Sequence, residues 1–216
     1  MKPLEPMAMA GASTAPSAAV GTVAATPGET ASESPEVALL VERAKGGDAD
    51  AFGDLMHLYE RRIIALGMQM GLSREDALDA TQESFVKVFK YLASFKSGRS
   101  FFKWLYRIAI HTIYDALRAR QARQTVALDE VEGGASLPSR EAGVHQRLEA
   151  AQLAEKVREC LEHLSRRERI VFVLRDLQEI STEEIGAILG LSRITVRRHC
   201  MLARKRVRDR IFGPSD

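Results

Sequence analysis

Apolar side chains recur at intervals of three and four along two proline-free stretches, residues 36–137 and 139–213. That period fits α-helices with one buried face, and no run of alternating β-branched residues is long enough for a strand. Ser34-Pro35-Glu36 supplies a cap, a first-turn proline and an acid, predicting a helix that stops at Gly46-Gly47. Asp48 caps the next, which carries Phe52, Leu55, Met56, Tyr59, Ile63, Ile64 and Leu66 and ends near Gly71. Ser73-Arg74-Glu75-Asp76 is close to a capping box, with Asp in place of the usual Glu or Gln. It opens a third helix to about Ala93, whose Phe85, Val86, Phe89 and Leu92 are expected to pack inward. Ser100 caps a fourth helix reaching about Arg123.

Residues 124–140 lose this periodicity and include Gly133-Gly134 and Pro138, so they read as a flexible linker. About 17 extended residues reach roughly 55–60 Å. A helix around Glu141–His163 follows, then a capping box at Ser165–Glu168 and another at Ser181–Glu184. The last short helix presents Ile185, Ile188 and Leu189, breaks at Gly190-Leu191-Ser192, and gives way to a terminal helix reaching about Arg210. Residues 1–35 are dominated by Ala, Ser, Thr, Pro and Gly and hold no aromatic, so they cannot bury enough apolar area to offset their ordering entropy. The chain therefore divides into a disordered tail (1–35), a helical domain (36–123), a linker (124–140) and a second helical domain (141–212). The fold class is all-α.

Composition changes this picture little. The 216 residues are 45% hydrophobic and 28% charged, which excludes wholesale disorder. Two cysteines, Cys160 and Cys200, exclude a disulfide-stapled secreted scaffold. No stretch approaches the roughly 20 apolar residues that span a bilayer. A cytoplasmic protein is the expectation. Cys160 with His163, and His199 with Cys200, have a passing likeness to zinc ligands, but both cysteines fall in apolar stripes and are expected in the core, so no metal or other cofactor is expected.

The net charge of +2 is uninformative; its placement is not. A short helix, a glycine-containing turn and a second helix make a helix-turn-helix pattern. In the second helix Val196, Cys200, Ala203 and Val207 form an inward stripe, and eight arginines and lysines from Arg193 to Arg210 occupy the rest against the single acid Asp209. Such a field attracts phosphate, and the early Arg193, Arg197 and Arg198 are placed to reach base edges in a major groove. Helix-dipole complementarity accounts for cations at the C-terminal end but not for these three.

In the first domain, Asp79, Gln82 and Glu83 form a polar ridge on the third helix. Beyond it, rings and cations interleave from Phe95 to Arg107, a composition suited to stacking and neutralising a single strand. Most of those rings are also needed for the core of so small a domain.

These residues together resemble the bacterial sigma factors of the extracytoplasmic-function (ECF) group, over about residues 36–212. The resemblance rests on Gly47-Asp48 with Ala51-Phe52, on Asp79-x-x-Gln82-Glu83-x-Phe85, on Trp104-Leu105 with Ile108-Ala109, and on Asp115-x-x-Arg118. In the second domain it rests on Leu164 with Arg169-x-Val171-Phe172, Glu184-Ile185 with Leu189-Gly190, and Ser192-x-x-Thr195-Val196 before Ala203-Arg204. It implies a promoter-recognition subunit with no catalysis of its own. Asp79, Gln82 and Glu83 would then contact a coiled coil of the RNA polymerase clamp. Lys96, Arg99, Lys103, Trp104, Arg107, His111, Asp115 and Arg118 would hold the melted minus-10 strand. Arg193, Thr195, Arg197, Arg198, Met201 and Arg204 would read the minus-35 duplex. The family's usual control implies an anti-sigma partner, which no feature of the sequence marks. His111 stands where the family usually has Asn; Ile194, His199 and Leu202 stand where members often have Gly, Arg and Arg; and Gly186 replaces a common alanine at a helix-propensity cost of about 1 kcal/mol.

Two other readings compete. A helix-turn-helix repressor or activator would bind a two-fold symmetric duplex without polymerase, leaving the polar ridge without a purpose. An enzyme acting on nucleic acid would need a carboxylate or metal constellation, and none is apparent.

Overall fold

The computed structural model describes residues 34–126, 156 and 159–213. The expected tail up to residue 33, the linker beyond residue 126, and residues 141–155 of the expected helix lie outside them; residues 159–162 are helical.

The first domain holds α1 (Pro35–Lys45), α2 (Ala49–Gln69), α3 (Arg74–Tyr91) and α4 (Phe101–Val126), with a 3-10 turn at Leu92–Ser94. The Ser34 and Asp48 side chains accept from the backbone N–H groups of Val37 and Ala51, which fixes where α1 and α2 begin. At α3, Ser73 accepts from Asp76 N at 3.0 Å, but its hydroxyl donates to the Asp76 carboxylate at 2.7 Å. Aspartate is one methylene too short to close the reciprocal bond of a capping box. The core is built from Leu55, Tyr59, Ile63 and Leu66 of α2, Phe85 and Val88 of α3, and Phe101, Phe102, Leu105 and Tyr106 of α4. Most of the ring cluster is thus structural.

α3 corrects one expectation. Phe85 and Leu92 are buried, whereas Val86 and Phe89 are each 66% exposed. Residues 85, 88 and 92 complete one inward stripe, and α3 is too short of neighbours to bury a second. Phe89 instead meets the edge of the half-buried Phe52 ring, with centroids 5.2 Å apart.

The second domain holds α5 (Arg166–Phe172), which continues as a π-helical turn over Val173–Leu177, then α6 (Thr182–Leu189) and α7 (Arg193–Phe212). Here glutamate closes both capping boxes, Ser165 with Glu168 and Ser181 with Glu184. Gly190 adopts the left-handed conformation (φ 67°, ψ 35°) that ends α6. Gly186 is more than a propensity cost: a Cβ there would lie 2.7 Å from Leu191 O, and Leu191 N donates to Gly186 O at 2.9 Å. The turn closes onto the position where other residues carry a methyl. Val196, Cys200 and Ala203 are buried under α5 and α6, and Cys160 is buried too, so both cysteines belong to the core.

The two domains pack against each other, α4 facing α5 and α6. Gln178, displaced by the π-helical turn, accepts from the Tyr106 hydroxyl at 2.8 Å and donates to Arg62 O and Gln69 Oε1. Arg169 donates to Met70 O, and the Tyr114 hydroxyl donates to Arg166 O while the Arg166 guanidinium lies 3.6 Å from the centre of the Tyr114 ring. Burial pushes the Tyr106 phenol well above its ordinary range and raises that of Tyr114, so both remain neutral donors.

Candidate nucleic-acid interface

The loop after the 3-10 turn and the first two turns of α4 bring five of the expected minus-10 residues to one place. Lys96, Arg99, Lys103, Trp104 and Arg107, with Phe95, line an open hollow of about 320 Å³ whose far wall is Ala187 of α6. Ser100 accepts from Lys103 N and so starts α4 directly below the hollow. The buried Phe95 and Phe101 rings back the half-buried Trp104 ring, with centroids 4.9 and 5.8 Å away. This is a fixed apolar plate ringed by cations, which is what an unpaired base and its phosphate need.

The remaining α4 candidates lie elsewhere. His111 is exposed, two turns from the hollow's centre, and lines a second cavity of about 520 Å³ between the domains with Tyr114, Arg166 and Ile188. Asp115 and Arg118 form an exposed ion pair with each other, which cancels their charge locally. On α3, Asp79, Gln82 and Glu83 are exposed as a ridge. Lys87 donates to Glu83 at 2.8 Å and to the buried Thr112 hydroxyl at 3.0 Å, tying the ridge to α4. Val86 and Phe89 extend this face with apolar surface, where the sequence predicts burial.

On α7, Arg197, Arg198 and Met201 are exposed and lie on the outer face. Arg193 is exposed but pairs with Glu183 of α6, which gives a cation at the positive helix end an electrostatic reason the sequence did not supply. The Glu183 carboxyl is held below its usual range by the Thr182 hydroxyl first, and by Arg193 as well. Arg204 donates to Asp176 at 2.9 Å, fastening α7 to the π-helical turn. The Thr195 hydroxyl is engaged by the Ser192 cap at 2.8 Å. Arg206 reaches back to the buried Glu168 carboxylate. Burial pushes that acid up, but the Ser165 hydroxyl and N–H together with Arg206 outweigh it and keep the group below the ordinary carboxylate range.

Among the described residues no helix is long and apolar enough to cross a membrane, and no cluster of three or more His, Cys, Asp or Glu is placed to hold a metal ion.

The arrangement is shared with known proteins. Residues 55–123 match the Sigma-70 region 2 family, and residues 154–207 match Sigma-70, region 4. The ECF RNA polymerase sigma-E factor of Haemophilus influenzae is 30% identical over 178 residues, spanning 80% of this chain and 93% of its own. Those of Salmonella typhimurium and Escherichia coli K12 are 31% and 30% identical over 183 residues, with the same coverage. Among solved structures, CnrH in complex with the cytosolic domain of CnrY superposes with a TM-score of 0.64 at 25% identity, covering 83% of this chain and 99% of that one. The sigma factor RpoE in complex with the anti-sigma factor NepR from Bartonella quintana superposes with a TM-score of 0.59 at 22% identity, covering 74% and 96%. Both matched regions, the full-length relatives and the helical architecture agree: the chain belongs to the ECF sigma factors, promoter-specific initiation factors that bind RNA polymerase core and promoter DNA.

Proposed function

We propose that the chain divides its promoter contacts between the hollow on α4 and the outer face of α7, while the α3 ridge holds the polymerase. In this reading residues 36–123 dock on the clamp coiled coil through Asp79, Gln82 and Glu83. Trp104 stacks against an extruded base of the minus-10 non-template strand, and Lys96, Arg99, Lys103 and Arg107 neutralise its backbone. His111, Asp115 and Arg118 follow that strand away from the hollow. Residues 124–140 link this domain to residues 141–212, whose Arg197, Arg198 and Met201 face minus-35 base edges. Arg193, Thr195 and Arg204 support phosphate contacts from positions already braced within the protein.

The observation that carries the reading is the convergence of four cations and one tryptophan on a single concavity, with Asp79, Gln82 and Glu83 of α3 and Arg197, Arg198 and Met201 of α7 exposed elsewhere on the surface. Melting is then favoured because an unpaired base gains a plate and a cationic rim that a duplex cannot use. The protein performs no chemistry itself; the polymerase does. It works in the cytoplasm, where that enzyme is. CnrH was solved with the cytosolic domain of CnrY and RpoE with the anti-sigma factor NepR, which supports an anti-sigma protein as the regulator here. Run-off transcription with purified core polymerase tests the proposal: product from a cognate promoter appears only when this chain is added. Tight duplex binding without polymerase, and no product at any promoter, would overturn it.

A further inference from the structure

The outer face of α7 is not uniformly cationic. Ile194 is 79% exposed in the first turn and Met201 is 64% exposed two turns later, on a helix whose other forward side chains are arginine and lysine. At 3.6 residues per turn, Ile194, Arg198, Met201 and Lys205 fall within an arc of about 60°, opposite the buried Val196, Cys200 and Ala203. Ile194 has no packing duty. The hydrophobic contact that steadies a helix start is available to Leu191 and Val196, one before the cap and four beyond it. A β-branched residue in the first turn gains nothing for the helix, and solvent exposure costs its methyl groups their burial.

A duplex supplies the missing partner. The N-terminal residues of a recognition helix reach base edges, and the apolar feature on a major-groove edge is the thymine C5-methyl. Exposed Arg197 and Arg198 flank Ile194 on the following turn and favour phosphates on either side. We propose that Ile194 reads the C5-methyl of a thymine in the minus-35 duplex, and so sets one base of the promoter preference. The proposal rests on α7 being the duplex-reading helix. Ile194 and Met201 stand about 10.5 Å apart along the axis, which corresponds to about three base steps of 3.4 Å.

The test uses holoenzyme reconstituted from core polymerase and the full chain, transcribing a promoter library with a randomised minus-35 window. Wild type is expected to select a T·A pair at one position, and Ile194→Ala to lose that selection while keeping the others. Deoxyuridine for thymidine there should lower wild-type output about fourfold, the worth of one buried methyl, and leave Ile194→Ala unchanged. Ile194→Val, which retains a methyl at the same branch point, should keep the preference. Because the side chain is exposed, thermal unfolding of Ile194→Ala should match wild type. Identical selections by the two proteins would overturn this proposal alone, as would a uniform loss of output at every promoter, which would mark a protein contact. No selection by wild type anywhere in the window would overturn the duplex-reading role of α7 as well.

Discussion

The guanidinium of Arg107 caps the C-terminal end of α6, donating to Ala187 O at 2.6 Å and to Ile188 O at 3.2 Å. A cation suits that end of a helix, and the bond joins the two domains at the rim of the α4 hollow. The same donors are those proposed for the minus-10 backbone, so α6 and DNA compete for Arg107. Minus-10 and minus-35 elements about two helical turns apart lie roughly 70 Å from each other; two domains in contact cannot serve both. On the proposed division of contacts, loading on a promoter would separate them.

Gln178→Ala removes three interdomain hydrogen bonds and touches none of the proposed DNA residues. At about 0.5–1.5 kcal/mol for each, it should expand the free protein in small-angle scattering and leave promoter melting intact or stronger. Arg107→Ala should expand it too but weaken melting. Wild-type melting by Arg107→Ala would remove that side chain from the DNA contact.

Arg204 and Arg197 look alike in the sequence and should behave differently. Arg204→Ala leaves the half-buried Asp176 without its partner and should lower the stability of the second domain by about 1–2 kcal/mol. Arg197→Ala should leave thermal unfolding unchanged and weaken minus-35 use by about 1–3 kcal/mol. Equal unfolding curves for the two variants would contradict the assignment.

On α3 the contrast is between Phe85 and Phe89. Phe85→Ala empties a core site and should cost about 3–5 kcal/mol of stability. Phe89→Ala should cost little, since the ring is 66% exposed, yet weaken capture of core polymerase, as should Gln82→Ala and Glu83→Ala. A pull-down with wild-type affinity for all three surface variants would displace the docking face from α3.

The sequence made the helices legible because their ends carry strong local signals: Ser34, Asp48, Ser73, Ser165, Ser181 and Ser192 each cap a helix through the side chain. The inward stripe of α7 was equally plain, since Val196, Cys200 and Ala203 follow one period. Periodicity alone does not tell which apolar residues of α3 find a neighbour, so it predicts burial for Val86 and Phe89 as well as for Phe85 and Leu92. Nor could it reveal the π-helical turn at Val173–Leu177, which depends on a hydrogen bond from Gln178 N to Val173 O and not on residue type. The candidates for the minus-10 strand rest on resemblance and composition. Five of them share one short loop-and-helix segment, so their convergence is local; that Ala187 closes the hollow, and that Arg107 is held by α6, follows only from long-range contacts.

Acid should loosen the second domain through Glu168. Its folded carboxyl titrates below the ordinary value, so the stability it confers is complete above the unfolded pKa of about 4.3 and is lost as pH falls through the folded one. Thermal unfolding of wild type should fall steeply below about pH 4.5. Glu168→Gln should be less stable at neutral pH and show a shallower acid dependence. Parallel pH profiles would exclude this acid as a source of that dependence.

Site-directed photo-cross-linking in the assembled open complex tests the division of labour most directly. A cross-linker at position 104 should label the minus-10 non-template strand, and one at position 197 the minus-35 duplex, within the same complex. Labelling of the minus-35 duplex from position 104, or of neither element from position 197, would contradict it.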